Sequence, residues 1–168
     1  SYNPVSNMYL GSGAAPIREA LDAGVNVSIG TDGAASNNTT NYLESIKFAA
    51  LVQKGFTRDA ARITAPQTIR MATNGGAKAI GMPDTLGVVE KGRKADLILF
   101  DPRKLTSMPM HDPYATTVYS STPENISTTI VNGKIVYHDG KFACGIDERD
   151  LSDAINAELT KLKSQVDA

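Results

Sequence analysis

"VNVSIGTDGAASNN", residues 25–38, is the stretch on which the fold turns. A run rich in valine and isoleucine climbs to Ile29. It breaks at Gly30-Thr31-Asp32-Gly33 and passes into small polar residues. That pattern predicts a short strand followed by a loop. Just upstream, "APIREALDAG" has Pro16 where a first helical turn tolerates it and Gly24 where a helix stops. A helix feeding a strand through almost no loop is the alternation of parallel α/β folds. Asp32 is then the informative residue. At the carboxyl end of a parallel strand a side chain faces the crevice where such folds bind ligands. A carboxylate there can ligate a metal or act as a general base. The other reading is a turn or helix-capping aspartate, the commoner use of this residue type. Gly30 and Gly33 suit both, because glycine permits a tight bend and also lets backbone approach a ligand. Local physics favours the turn.

Downstream, "NYLESIKFAALVQKG" (41–55) places Leu43, Ile46, Ala50 and either Leu51 or Val52 on one helical stripe, with Gly55 as its end. From about residue 57 to 80 the pattern predicts two or three short helices, broken near "TAP" and again at "NGG". After Gly81 the composition shifts. "GVVEKGRKADLILFDP" (87–102) predicts strand, Lys-Gly turn, strand. "STTIVNGKIVYHDGKFACG" (127–145) predicts a three-stranded meander joined at Asn132-Gly133 and Asp139-Gly140. Those dipeptides supply the positive φ angles of two-residue hairpin turns. The tail sets Leu151, Ile155, Leu159, Leu162 and Val166 on one helical face. The chain thus divides into three regions: 1–81 in α/β form, 82–146 mostly β, and an amphipathic helix over 147–168.

Hydrophobic residues make up 41% of the 168 and charged residues 21%, an ordinary globular balance. The net charge of −1 has no basic footprint of the kind nucleic-acid binding requires. No apolar run is long enough to span a bilayer, so neither a nucleic acid nor a membrane is an expected partner. The lone Cys144 excludes an intrachain disulfide framework and suits a reducing cytoplasm; it reads as a packed thiol at a strand end. Of the two histidines, His111 falls in a loop and His138 beside a turn. There is no H-x-H, no H-E-x-x-H and no cysteine pair. "NPVSN" (3–7) reads locally as a polar turn in which Ser6 and Asn7 offer donors and acceptors. "SNN" (36–38) reads either as a site segment or as a cap for the helix near Asn41, with Glu44 three residues on.

Three longer stretches are similar, in order, to one family. "NPVSNMYLGSGAAPIREALDAGVNVSIGTDGAASNN" resembles the last barrel segments of the amidohydrolase superfamily, in the branch of the 5-methylthioadenosine/S-adenosylhomocysteine deaminases and the s-triazine hydrolases. "MATNGGAKAIGMPDTLGVVEKGRKADLILFD" resembles that family's passage into its companion β-domain, and "TTIVNGKIVYHDGKF" its closing hairpin. The resemblance implies an α/β fold: the last two strands and helices of a metal-dependent (β/α)8 barrel, part of a β-sandwich, and a C-terminal helix. It implies that Asp32 ends the eighth strand as a metal ligand and proton shuttle. Asn7 would lie after the seventh strand, near the substrate. The implied cofactor is a divalent metal, zinc in the first instance with iron as the alternative. The implied reaction is attack of metal-activated water on a purine nucleoside or related heterocycle, with loss of ammonia.

The family's histidines and substrate-facing glutamate precede this region in its members and have no counterpart here. The resemblance therefore implies a C-terminal fragment, inactive by itself and holding metal weakly or not at all. Its open barrel edges imply association into a homo-oligomer. Two other functions fit the same sequence: a different amidohydrolase reaction (guanine deamination, dechlorination or cyclic-amide hydrolysis), or a non-catalytic assembly module.

Overall fold

A computed structural model describes residues 1–166 of the chain. The last two residues of the predicted tail helix, 167 and 168, and the side chain of Val166 lie outside the described residues. The first half is helical around one buried stretch of extended chain. Helix α1 spans Pro4–Tyr9, α2 Ile17–Asp22, α3 Ala34–Asn37 and α4 Tyr42–Thr57. Helix α5, Ala65–Arg70, continues through a π-helical turn at Met71–Gly75 into α6, Gly76–Ala79. Strand β1 (Leu97–Phe100) precedes a short helix α7 (Pro113–Ala115). Strands β2 (Ile126–Val131), β3 (Lys134–His138) and β4 (Lys141–Phe142) come next, and α8 (Glu148–Val166) ends the described chain. Among the described residues no helix is long and apolar enough to cross a membrane.

The core gathers Tyr2, Val27 and Ile29 with Ile17 of α2, Leu43, Ile46, Ala49 and Ala50 of α4, Ile63, and Met71. The helical stripe predicted for α4 is therefore the buried one, although Leu51 is exposed. The helix starts where Asn41 accepts from the Glu44 N–H at 3.3 Å. It runs two residues past Gly55, and Arg58 ends it in the left-handed region (φ 55°). Val118 joins the same core from the turn after α7, where the Lys54 ammonium sits 2.6 Å from the Tyr119 hydroxyl.

Several expectations change. The 25–30 strand is reduced to one parallel bridge, Tyr2 to Ile29. Its neighbour, the short run ahead of α1, offers a single rung, and a strand exists only as far as its partner does. Val27, Ser28 and Ile29 are all buried, which is the burial of an interior parallel strand covered on both faces. "NPVSN" forms no simple turn, since Pro4 opens α1, where its missing N–H costs nothing. "GVV" (87–89) forms no strand, and Val89 is exposed. Cys144 is exposed and unpacked, because the sheet ends two residues earlier with Phe142.

The meander has the expected form. The order is β1-β2-β3-β4, all antiparallel. Asn132 and Gly133 (φ 49° and 78°) and Asp139 and Gly140 (φ 43° and 81°) both turn with the two central residues left-handed. Ile98 of β1 and Ile135 of β3 remain exposed on the sheet. In α8 the side chains of Leu151, Ile155, Leu159 and Leu162 are exposed together.

"NGG" is not a break. The chain widens there into a π-helical turn, and a Cβ added at Gly75 would lie 2.2 Å from the Val27 carbonyl oxygen. Asn26 Nδ2 also donates to the Gly75 carbonyl at 3.0 Å. Glycine at 75 thus lets this turn press on the backbone of the 25–30 segment. Gly76 has nothing near its Cβ position. Gly75→Ala should cost at least about 2 kcal/mol. Gly76→Ala should be neutral or gain about 0.5–1 kcal/mol. Urea denaturation of the two variants checks this; equal effects would remove the special role of Gly75.

Candidate functional site

The site is built on the parallel bridge. Tyr2 N donates to the Ser28 carbonyl at 2.7 Å, and Gly30 N donates to the Tyr2 carbonyl at 2.9 Å. Parallel neighbours leave a pairing in the same direction, so the residues after Tyr2 and those after Ile29 emerge at one end. Ser6 lies four residues beyond the first and Asp32 three beyond the second. The Ser6 hydroxyl donates to Asp32 Oδ2 at 2.7 Å, and the Gly33 N–H donates to Asp32 Oδ1 at 2.7 Å. Each carboxylate oxygen thus has one donor and keeps a lone pair.

The backbone supports this arrangement. Asp32 itself, rather than either flanking glycine, takes the left-handed conformation (φ 62°), while Gly33 has φ −72°. Aspartate is among the few non-glycine residues that enter this region readily. Buried Asn37 closes α3 and donates through Nδ2 to the Thr31 carbonyl. Asn38, also left-handed (φ 60°), donates to the Tyr9 hydroxyl at 2.9 Å and ties the loop to the end of α1. The cap of α4 is Asn41, whereas "SNN", the expected cap, instead finishes α3.

Hydrogen bonds hold the Asp32 carboxyl below the ordinary carboxylate range. The Ser6 hydroxyl contributes most, then the Gly33 N–H. Ser36, whose hydroxyl also reaches the Gly33 carbonyl at 3.1 Å, adds a smaller effect, and slight desolvation opposes it. The result is an exposed, ionised carboxylate fixed at both oxygens, suited to a cation or to accepting a proton.

Asn7 sits in α1 beside Ser6. Its N–H donates to the Asn3 carbonyl at 2.9 Å, and its own carbonyl accepts from Ser12 N at 2.8 Å. Among the described residues no hydrogen bond links its side chain to Asp32. Ser6, which the sequence offers only as one polar group of a local turn, is the residue that reaches Asp32. The missing signal is the register, because only the pairing of Tyr2 with Ile29 reveals that positions 6 and 32 meet. His111, His138 and Cys144 all lie elsewhere and exposed. Among the described residues no three His, Cys, Asp or Glu side chains cluster closely enough to hold a metal. Asp32 has the charge, exposure and free lone pairs of one metal ligand. It is not a metal site alone, since a catalytic zinc takes three or more protein ligands.

The Amidohydrolase family model matches residues 2–136. The chain belongs to the amidohydrolase family. Among family members with curated names, it is 47% identical over 138 residues to the 5-methylthioadenosine/S-adenosylhomocysteine deaminase of Moorella thermoacetica, covering 82% of this chain and 32% of that protein. It is 42% identical over all 168 residues to the 5'-deoxyadenosine deaminase of Methanococcoides burtonii, covering 38% of that protein. The crystal structure of an adenosine deaminase from Xanthomonas campestris with bound zinc superposes with a TM-score of 0.92 at 31% identity, covering 97% of this chain and 37% of that one. The chain thus spans between 32% and 38% of the length of these relatives.

Acid stability reports on the Asp32 contacts. The folded-state pKa of Asp32 lies below the unfolded value of about 3.9. Its contribution to stability is therefore present above about pH 4 and is lost as the pH falls through the folded value. The stability advantage of the wild type over Asp32→Asn should shrink on acidification from pH 6 to pH 2. Parallel melting-temperature profiles would show that Asp32 carries no such linkage.

Proposed function

We propose that these residues form the C-terminal part of an amidohydrolase that removes ammonia from adenosine-type nucleosides, with Asp32 as a working carboxylate. The observation that carries this reading is an exposed aspartate, ionised and fixed at both oxygens, where two parallel segments emerge together. The names of the relatives supply the substrate class. On this reading Tyr2 and the 25–30 segment belong to the last two strands of a (β/α)8 barrel within residues 1–81. Residues 82–146 are a share of a β-sandwich, and 147–168 are an appended helix. Pairing needs at the free edges of this barrel portion support self-association.

A divalent ion, which we take to be zinc, supplies acidification of a water molecule when bound. The chain's own contributions are narrower. Asp32 offers one ligand oxygen and a site to receive a proton. Asn7, one residue beyond Ser6 on α1, is placed to meet the substrate's polar edge. The remaining ligands come from outside residues 1–168.

Two measurements test the reading. In the complete polypeptide carrying these residues, ammonia release from 5'-deoxyadenosine or 5-methylthioadenosine should stop on chelation and return with zinc. Asp32→Asn should lower kcat by about 10³-fold. Full activity in that variant would remove Asp32 from the chemistry. The 168-residue chain alone should show neither turnover nor stoichiometric metal after gel filtration; a one-to-one metal content would overturn the incomplete ligand set.

A further inference from the structure

We infer that Ser6 is a positioning residue that sets the direction of the Asp32 carboxylate from the neighbouring segment. This rests on the reading of Asp32 as the working carboxylate. Ser6 is 3% exposed, so its hydroxyl needs a partner within the protein. A serine inside a helix ordinarily donates to the carbonyl four residues back. For Ser6 that carbonyl belongs to Tyr2, and it already accepts the Gly30 N–H in the parallel bridge. The hydroxyl turns instead to Asp32 Oδ2, 26 residues away, at 2.7 Å.

Asp32 does not need this bond for solvation. It is exposed, and water would satisfy it as well. What Ser6 adds is orientation. Gly33 N–H pins Oδ1 within the loop, whereas Ser6 pins Oδ2 to α1, which is anchored in the core through Tyr2. With both oxygens held, the carboxylate keeps one direction despite the left-handed backbone beneath it. Groups that orient a ligating carboxylate in this way typically govern metal affinity and activity by 10–100-fold.

The test uses the complete polypeptide that carries residues 1–168, as Ser6→Ala, Ser6→Thr and Asp32→Asn. Zinc affinity is measured by chelator competition, ligand geometry by the visible spectrum of the cobalt-substituted protein, and turnover by kcat and KM. Ser6→Ala should bind zinc about tenfold more weakly, shift the cobalt bands and lower kcat by about 10-fold or more with KM nearly unchanged. Ser6→Thr, which keeps the hydroxyl, should recover all three. If Ser6→Ala does not fold, Ser6→Cys keeps the volume with a weaker donor and should fail in the same direction. A Ser6→Ala or Ser6→Cys protein with wild-type affinity, spectrum and kcat overturns the role of Ser6 when Asp32→Asn has lost them. An Asp32→Asn protein that retains all three overturns the underlying reading of Asp32, and Ser6 with it.

Discussion

Two backbone hydrogen bonds between the Tyr2 segment and residues 28–30 set the geometry on which the rest of the first half depends. They are short, they lie in the core, and they are parallel. Parallel pairing sends both segments out at one end, and helix α1 begins two residues later at Pro4. Side-chain contacts reinforce the same rung. Gln53 of α4 donates to the Tyr2 hydroxyl at 3.2 Å and to the Ala15 carbonyl at 2.8 Å. The Tyr42 hydroxyl lies 3.1 Å from the Ile29 carbonyl and from the Ala72 carbonyl. One polar ring from α4 thus bridges the extended segment and the π-helical turn, and partial burial raises its pKa.

The consequence is a carboxylate held at both oxygens by the protein's own donors. The loop from Thr31 to Asn38 uses two left-handed non-glycine residues, at an uncommon cost of about 1 kcal/mol each. Both are residues whose short polar side chains suit that backbone. Such local strain persists only where surrounding contacts enforce it, here the bonds from Ser6, Gly33 and Asn37. Among the described residues Asn37 Oδ1 is buried without a hydrogen-bond partner, a further cost accepted beside the same loop.

The second half is organised on different terms. Its sheet is held by local hairpins and by buried Asn125, whose Nδ2 reaches the Asp101 carbonyl and Ser107 Oγ at 2.7 Å each. That residue fastens the loop after β1 to the start of β2, so the long connection between adjacent strands is fixed by polar contacts. Exposed Ile98 and Ile135 on the sheet and the exposed stripe of α8 leave apolar surface uncovered in this half, and Tyr9, Phe56 and Ile80 do the same in the first.

Local chemistry made some elements legible in advance. Asn132-Gly133 and Asp139-Gly140 dictate hairpins because few other pairs tolerate two successive positive φ angles. Pro16, Gly24 and the apolar spacing of α4 marked helices, and the ordered resemblance from residue 3 to about residue 145 named the family that the family model supports. The sequence also singled out Asp32. It did not reveal the extent of the 25–30 segment, since strand length is a property of the partner. It did not reveal why Gly75 stands in "NGG", because the reason is a carbonyl 48 residues earlier in the chain. Nor did it pair Ser6 with Asp32, since that contact depends on register. Short-range backbone preferences are written in adjacent residues. The meeting of positions 6 and 32 is decided by a long-range parallel pairing, which only the tertiary structure sets.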